Sequence, residues 1–193
     1  MSKQQRGALV VISGPSGAGK TSICNELLKR IPGARWSVSV TTRPPRGAEQ
    51  DGQAYRFVSA EEFQRLVAAD ELLEHAQYLG NWYGTPRRPV EEAVAAGQTV
   101  ILEIEVQGGA QVARRMPESV RIFVLPPTMD TLRARLAGRQ TESDALQAKR
   151  LAEADGEIAF ARSGGCYPYI LTNDILEGSV QRVLEILDHE RRG

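Results

Sequence analysis

The amino-acid sequence predicts an α/β fold in which helices cover a parallel five-stranded core sheet, with a small inserted mixed-β lobe and a helical lid. Three observations lead to this prediction. Short apolar runs recur along the 193-residue chain, as expected for strands that are covered on both faces. Helical patterns alternate with these runs, which is typical of right-handed crossovers between parallel strands. One region breaks this rhythm with short, alternating strands.

The core elements follow in chain order. The first apolar run, ALVVIS at 8–13, leads through a glycine-rich turn into the helical segment TSICNELLKR, which Ile31, Pro32 and Gly33 end. Later apolar runs predict strands at 99–106, 120–125 and 169–172. Further helical patterns lie at 89–97, 108–116, 128–139 and 179–190, the first with Gly97 placed to end it.

The inserted lobe is predicted between the segment WSVSVTT, residues 36–42, and Thr85. Its one helix covers 60–69, and Ser59 with Glu62 has the spacing of a capping box. Residues 72–86 then predict two short strands around Gly80-Asn81. A polar, arginine-flanked segment at 139–150 is a second departure from the core pattern and is expected to be exposed.

Composition excludes several classes of protein. With 24 basic and 24 acidic residues the charge balances, so bulk charge favours neither nucleic acid nor a membrane as partner. No apolar stretch approaches the roughly 20 residues of a spanning helix, and the N-terminus is unlike a signal peptide, so we expect a cytoplasmic protein. Cys24 and Cys166 fit buried, reduced thiols, and His75 and His189 lack metal-ligand spacing.

The strongest chemical signal is GPSGAGKT, which matches G-x-x-x-x-G-K-[ST] between a predicted strand and a predicted helix. Such a loop turns backbone N–H groups toward a polyphosphate, and the helix N-terminus adds partial positive charge. Lys20 is expected to lie against the β- and γ-phosphates of ATP, and the Thr21 hydroxyl to bind Mg²⁺. The alternative is a glycine-rich turn with a surface lysine, which the flanking elements disfavour. The predicted ATP-binding residues of the loop are Gly14, Pro15, Ser16, Gly17, Ala18, Gly19, Lys20 and Thr21.

A second anion site is predicted in TTRPPRGAEQDGQAYRFV, residues 41–58. Arg43 and Arg46 could both point at one phosphate, since guanidinium groups bind phosphate in bidentate fashion. Tyr55, and Tyr83 from NWYGTP, could donate hydrogen bonds to the same group. The alternative is a solvated, turn-forming cluster of charges.

The same stretch resembles the signature of guanylate kinases, T-T-R-x-x-R-x-x-E-x-x-G-x-x-Y-x-F, which here runs from Thr41 to Phe57 and includes Glu49. Other segments of the chain, among them LLEHAQYLGNWYGTP, VILEIEVQG and YILTND, follow the order and spacing of that family. The resemblance implies ATP-dependent phosphorylation of GMP to GDP, with dGMP as a second acceptor and Mg²⁺ as cofactor.

The resemblance also implies roles for individual residues. Arg43, Arg46, Tyr55 and Tyr83 match positions that bind the GMP phosphate, and Ser39, Glu74, Thr85 and Glu105 match positions that face guanine. A carboxylate such as Glu74 can accept from both the N1–H and N2–H₂ of guanine, and a hydroxyl can donate to O6. Without the resemblance, Glu74 would be interpreted as an ordinary exposed acid.

Further implied residues lie on the donor side. Arg139 and Arg150 match lid arginines that move onto the phosphates, while Arg135 and Asn173 resemble residues near the adenine of ATP. Surface charges on helices are the alternative for the arginines. Glu103 is expected to be a buried strand acid that orients Mg²⁺ through water. The predicted catalytic residues are Lys20, Arg43, Arg139 and Arg150, with no general base.

The sequence departs from the family pattern at two positions. Glu105 stands where the guanine-side acid is commonly Asp, and Gln140 stands where a glycine often follows the lid arginine. We expect a single guanylate-kinase-like domain, 1–193, that is a monomer or a homodimer. Its predicted parts are a core of 1–38, 88–128 and 164–193, a GMP-binding lobe of 39–87 and a lid of 129–163.

The sequence argues against three other functions. A P-loop GTPase would need N-K-x-D and D-x-x-G motifs, which the sequence lacks. Adenylate or thymidylate kinases share the fold, but the residues around Glu74 argue against both. A noncatalytic peptide-binding module of the same fold usually lacks a working phosphate loop, whereas this chain keeps Lys20 and Thr21. The sequence therefore predicts an enzyme.

Overall fold

The computed structural model describes residues 7–78, 80–137 and 144–192, with 144–149 described by their backbone alone. The predictions for Arg139 and Gln140 lie outside these residues. The strands are β1 Ala8–Ser13, β2 Arg35–Trp36, β3 Ser39–Thr41, β4 Tyr55–Phe57, β5 Leu72–Tyr78, β6 Asn81–Pro86, β7 Thr99–Glu103, β8 Val120–Leu125 and β9 Tyr169–Thr172. The helices are α1 Lys20–Arg30, α2 Ala60–Ala68, α3 Arg87–Ala95, α4 Val106–Arg115, α5 Met129–Ala137, α6 Asp144–Ser163 and α7 Leu176–Glu190.

The core sheet is parallel, and within the described residues it has five strands in the order β2-β7-β1-β8-β9. Alternate residues of β1 pack on opposite faces: Val10 and Ile12 share a cluster with α1 and α7, whereas Leu9 and Val11 share one with α3 and α4. This burial on both faces explains why the core strands are continuous apolar runs. The prediction of a parallel five-stranded core covered by helices is confirmed.

A second, mixed sheet has the order β4-β3-β6-β5, with β3 parallel to β4 and antiparallel to β6. Helix α2 covers it through Phe63 and Leu66, which pack with Val40 and Leu72. The Ser59 hydroxyl accepts a 3.0 Å bond from the Glu62 amide and so caps α2, while the Glu62 carboxylate contacts Arg56. The predicted mixed-β insertion is therefore confirmed.

Several predicted boundaries were wrong. The strand predicted at 99–106 ends at Glu103. The prediction was too long because the apolar pattern continues without a break into Val106, the first residue of α4. The segment WSVSVTT is divided between β2 of the core sheet and β3 of the second sheet.

Cys24 is buried as expected, but Cys166 is partly exposed. Among the described residues, no helix has the length and apolarity that crossing a membrane would require.

Candidate active site

The glycine-rich turn lies between the end of β1 and the start of α1, at the carboxyl edge of the parallel sheet. Gly14, Gly17 and Gly19 have φ values of 143°, 90° and 92°, which residues with side chains rarely adopt. A Cβ on Gly14 would lie 2.2 Å from the Val124 carbonyl oxygen, so this position also has no space for one. The turn thus places backbone N–H groups at the N-terminus of α1, where an anion is favoured.

Lys20 is held inside this turn. Its side chain is only 9% exposed, and its Nζ donates to the carbonyl oxygens of Gly14 at 2.6 Å and Pro15 at 3.1 Å. The ammonium group is therefore positioned by neutral acceptors, and its full charge stays available to a phosphate. This position excludes the alternative of a surface lysine.

Three predicted donor-side residues support the turn from outside. The Asn173 amide donates to the Ala18 carbonyl at 2.8 Å and accepts from the Ser179 hydroxyl at 2.8 Å, and Asn173 is 5% exposed. Arg135 donates to the Gly17 carbonyl at 3.3 Å, and Arg150 donates to the Ser16 hydroxyl at 2.9 Å. Arg150 is partly buried, in contrast to the expected surface exposure. The adenine contacts of Arg135 and Asn173 stay predictions.

Thr21 and Glu103 meet at the mouth of the turn, where the Thr21 hydroxyl donates to the Glu103 carboxylate at 3.0 Å. Glu103 is partly exposed at the end of β7, so the expectation of a buried strand acid was wrong. Hydroxyl and carboxylate oxygens are the hard ligands that Mg²⁺ prefers, and these two residues fit such an ion. The described residues contain no cluster of three or more His, Cys, Asp or Glu side chains that could hold a metal unaided.

Arg43 is the centre of the second predicted anion site. Its side chain is 6% exposed and forms a bidentate pair with Glu49, at 2.7 and 2.8 Å. The guanidinium also lies over the rings of Tyr55 and Phe57, at 5.0 and 5.5 Å from their centroids. Hydrogen bonding from Arg43 lowers the pKa of the Glu49 carboxyl to about 2. This pair stays ionised throughout the neutral range.

The other predicted phosphate ligands lie around Arg43. Arg46 is exposed, and its backbone N–H donates to Glu49 at 2.8 Å. Tyr83 contacts Tyr55 edge to face, with ring centroids 6.1 Å apart. Burial raises the pKa of the Tyr55 phenol, so this hydroxyl keeps its proton and can donate a hydrogen bond.

Glu74 lies on β5 and is 4% exposed, so the alternative of an ordinary exposed acid is wrong. The buried Thr85 hydroxyl donates to its Oε1 at 2.6 Å. Burial raises the pKa of the Glu74 carboxyl to about 7, because the charged form loses its hydration. Ser39 is partly buried on β3, and Glu105 is exposed at the residue before α4.

A single cavity of about 760 Å³ joins the two groups of residues. Thr85 lies behind Glu74, and Gly14, Pro15 and Ala18 form the buried part of the turn. The residues that line the cavity include Ser16, Gly17, Gly19, Lys20, Thr21, Glu103 and Arg150 on one side and Ser39, Arg43, Arg46, Tyr55, Glu74, Tyr83 and Glu105 on the other.

Sequence reasoning assigned no role to Glu49, although the motif contains it; its separation of six residues from Arg43 was the available signal. It also assigned no role to Gly108 and Gln111, which contact β5 from α4. A pair of glycines inside a helical pattern was the signal there, since glycine weakens a helix and needs a local reason.

Comparison with known proteins agrees with this geometry. The family model described as guanylate kinase matches residues 6–190. The chain belongs to the guanylate kinase family. It is 48% identical to the guanylate kinase of Desulfitobacterium hafniense, over 98% of this chain and 93% of the relative, and 45% identical to that of Synechocystis, over 96% and 95%. A crystal structure of guanylate kinase from Anaplasma phagocytophilum superposes with a TM-score of 0.78 at 35% identity, covering 98% of this chain and 88% of that one.

Membership of this family confirms the prediction of an enzyme. Guanylate kinases in general phosphorylate GMP with ATP, and a kinase that uses ATP generally requires a divalent metal. The substrates are therefore small nucleotides.

Proposed function

We propose that this guanylate kinase transfers the γ-phosphoryl group of ATP directly and in line to GMP, and also to dGMP, within purine nucleotide metabolism and GMP recycling. One observation carries the proposal: the cavity of about 760 Å³ is lined by the glycine-rich turn on one side and by Arg43, Tyr55 and Glu74 on the other. Two anion sites that share one cavity can bring donor and acceptor phosphates into contact, so transfer would need no phosphorylated enzyme intermediate.

On the donor side, the backbone N–H groups of the turn and Lys20 would bind the β- and γ-phosphates. The Arg150 guanidinium donates to the Ser16 hydroxyl of the turn at 2.9 Å, and this contact supports the proposal that Arg150 acts on the phosphates. Arg139 would complete this set, and Arg135 and Asn173 would lie toward the adenine. Thr21 and, through water, Glu103 would hold Mg²⁺, which when bound neutralises charge on the phosphate oxygens.

On the acceptor side, Arg43 and Arg46 would bind the GMP phosphate, and Tyr55 and Tyr83 would donate to it. Glu49 already holds the Arg43 guanidinium in a fixed orientation through two bonds, so little side-chain entropy is lost when the phosphate binds. Arginine is suited to this role because its planar guanidinium binds phosphate in bidentate fashion.

For the base, the Glu74 carboxylate would accept the N1–H and N2–H₂ of guanine. In this structure the Thr85 hydroxyl donates its one hydrogen to Glu74, so Thr85 would orient Glu74 and the donor to guanine O6 would be Ser39. Glu105 would lie at the far side of the base. Adenine has an acceptor at N1 and would leave the buried carboxylate unpaired, which can discriminate by orders of magnitude.

Catalysis would need positioning and charge neutralisation and no general base. The acceptor phosphate has a second pKa of about 6, so it is mainly a dianion at neutral pH. Two phosphates of charge about −2 at roughly 5 Å repel by on the order of 10 kcal/mol at an effective dielectric of 20. Lys20, Arg43, Arg150 and the metal would offset this repulsion. Closure of the lid, 129–163, over the lobe, 39–87, would exclude water and protect ATP from hydrolysis.

The proposal is tested by measuring ADP release with ATP, Mg²⁺ and either GMP, dGMP or AMP. We expect turnover with GMP and dGMP and little with AMP. ATP that is chiral at the γ-phosphorus should give GDP with inverted configuration, as one in-line transfer requires. Preference for AMP would refute the base assignment, and retention would refute direct transfer.

A further inference from the structure

Helix α4 contains two adjacent glycines, Gly108 and Gly109, and both are buried. Glycine in a helix interior is less favourable than alanine, so each position needs a local reason. For Gly109 the reason is packing against Tyr167, because a Cβ there would lie 1.9 Å from the tyrosine hydroxyl. For Gly108 the neighbour is a residue of the candidate active site.

A Cβ on Gly108 would lie 2.6 Å from Oε2 of Glu74 and 3.3 Å from its carboxyl carbon. The first distance is shorter than any van der Waals contact, so either the helix or the carboxylate would have to move. Glu74 is 4% exposed, and Thr85 holds its other oxygen at 2.6 Å, so displacement would break that bond or turn the carboxyl group. The Glu74 carboxylate can therefore occupy its observed position only because residue 108 has no side chain.

Gln111, one turn further along α4, binds the backbone next to Glu74. Its Nε2 donates to the His75 carbonyl at 2.8 Å, and its Oε1 accepts from the His75 amide at 3.2 Å. Within the described residues β5 is an edge strand of the second sheet, and β6 is the strand that pairs with it. The Gln111 side chain thus takes the place of a further strand on the other edge of β5 and fixes the backbone beside Glu74.

We propose that Gly108 and Gln111 are positioning residues for guanine specificity, which set the carboxylate of Glu74 at the distance that lets it accept both N1–H and N2–H₂. The inference rests on the proposed role of Glu74 toward guanine. Because α4 follows directly after β7 of the core, the base-recognising acid is positioned by the core and not by its own lobe alone.

The test compares GMP with IMP, a substrate that lacks the 2-amino group of guanine. Gly108→Ala is expected to lower the ratio of kcat/KM for GMP to that for IMP by roughly ten-fold, about the value of one hydrogen bond to a charged acceptor. Gln111→Ala is expected to lower the same ratio by a smaller factor, because it loosens β5 without entering the site. Gln111→Ala decides the matter if Gly108→Ala does not fold.

Two alanine substitutions at other helical glycines serve as controls. Gly109→Ala meets Tyr167 instead of Glu74, so it should lower the melting temperature and leave the GMP to IMP ratio unchanged. Gly178 in α7 has no neighbouring atom within 4 Å of an added Cβ. Gly178→Ala should therefore neither lower the melting temperature nor lower the GMP to IMP ratio. A loss of specificity with Gly109→Ala as large as with Gly108→Ala would overturn the proposal.

Glu74→Gln separates this inference from the function on which it rests. We expect Glu74→Gln to lower the ratio, and Gly108→Ala to have no further effect on it in that background. If Glu74→Gln lowers the ratio while Gly108→Ala and Gln111→Ala leave it unchanged, the inference fails and the guanine role of Glu74 stands. If Glu74→Gln leaves the ratio unchanged, the guanine role itself fails.

Discussion

The two proposed anion sites of this enzyme are built in different ways. The donor turn offers backbone N–H groups, and its one ammonium, on Lys20, is held by the neutral carbonyls of Gly14 and Pro15. The acceptor site offers side chains, and its buried guanidinium, on Arg43, is held by the full negative charge of Glu49. If these assignments are correct, the donor turn contacts a polyphosphate mainly through its backbone, whereas the acceptor phosphate must fit a balanced set of side-chain charges.

This difference teaches where specificity resides. A backbone site is specified by glycines over a few consecutive residues, and it does not distinguish one nucleoside from another. The proposed acceptor site and Glu74 are assembled from β3, β4, β5, β6 and the loop after β3. If these residues bind GMP, substrate choice depends on how the second sheet is held against the core.

Removal of the Lys20 ammonium should have the largest effect. Lys20→Ala is expected to lower kcat by roughly a thousand-fold, as loss of a preorganised charge at a transferring group does, while the protein stays folded by circular dichroism. Lys29→Ala is the matched control, because the Lys29 side chain is 69% exposed on the same helix, where it pairs with Glu26. A Lys20→Ala variant with a tenth of the normal rate would contradict the donor assignment.

Loss of the Glu49 carboxylate should affect the acceptor side alone. Glu49→Ala is expected to raise KM for GMP about ten-fold and to leave KM for ATP unchanged, because Arg43 loses its bidentate partner. Steady-state kinetics with each substrate varied in turn measure both constants. Glu62→Ala is the control, since Glu62 forms a partly exposed pair with Arg56 on the same lobe. A lower KM for GMP would show instead that Glu49 competes with the phosphate.

Acid should weaken GMP binding through Glu74. With a pKa of about 7, the carboxyl becomes protonated below that pH and can no longer accept two hydrogen bonds from guanine. We expect the dissociation constant of GMP to rise as pH falls from 8 to 6, approaching ten-fold per pH unit below about 7 for a single proton. Calorimetry between pH 6 and pH 8 measures this dissociation constant. Glu74→Gln should remove the pH dependence that comes from the carboxyl group and leave only the dependence that arises from the GMP phosphate itself.

The raised pKa of Glu74 also affects the stability of the fold. Stability should fall as pH rises, whereas GMP binding should strengthen. The folded protein holds the Glu74 proton up to about pH 7, whereas an unfolded chain loses it near pH 4.5, so this group lowers stability as pH rises between those values. Glu74→Gln should therefore be more stable than the native protein at pH 8, by up to about 3 kcal/mol, and the gain should vanish near pH 4. A constant difference across this range would contradict the burial of an ionised Glu74.

The smallest effect on the kinetic constants is expected at Asn173, which supports the donor turn from outside. Asn173→Ala removes the bond to Ala18 and the bond from Ser179, and should cost about 2 kcal/mol of unfolding free energy. KM for ATP should rise a few-fold and KM for GMP should not. Asn173→Asp keeps the acceptor for Ser179 but places a carboxylate oxygen against the Ala18 carbonyl at a buried position, so it should cost at least as much stability as Asn173→Ala. Equal effects on both KM values would mean that the two sites are not independent.

Much of the donor side and the core could be predicted from sequence, because consecutive residues encode them. The turn from Gly14 to Thr21 is encoded by its motif of consecutive residues, and the strand before it and the helix after it are encoded by local periodicity. The spacing of Arg43 and Arg46 predicts a second anion site but by itself also fits a solvated cluster of charges, and the guanine-side assignments rest on a family resemblance.

The rest depends on contacts between residues far apart in the chain. Nothing near Glu74 indicates that it is buried, since its neighbours Thr85 and Gly108 come from β6 and α4. The end of β7 was missed because Val106 continues the apolar pattern into a helix whose first turn is also buried. Glu103, the last residue of β7, is partly exposed, whereas Glu105, the residue before α4, is exposed.

The most direct test of two facing anion sites is the affinity of a bisubstrate compound, adenosine and guanosine joined through five phosphates, measured by calorimetry. If both sites bind at once, the compound should bind at least about 100-fold more tightly than ATP or GMP alone, as linked ligands do. Both Lys20→Ala and Arg43→Met should then weaken it. An affinity no greater than that of ATP, or one that Arg43→Met leaves unchanged, would contradict the account.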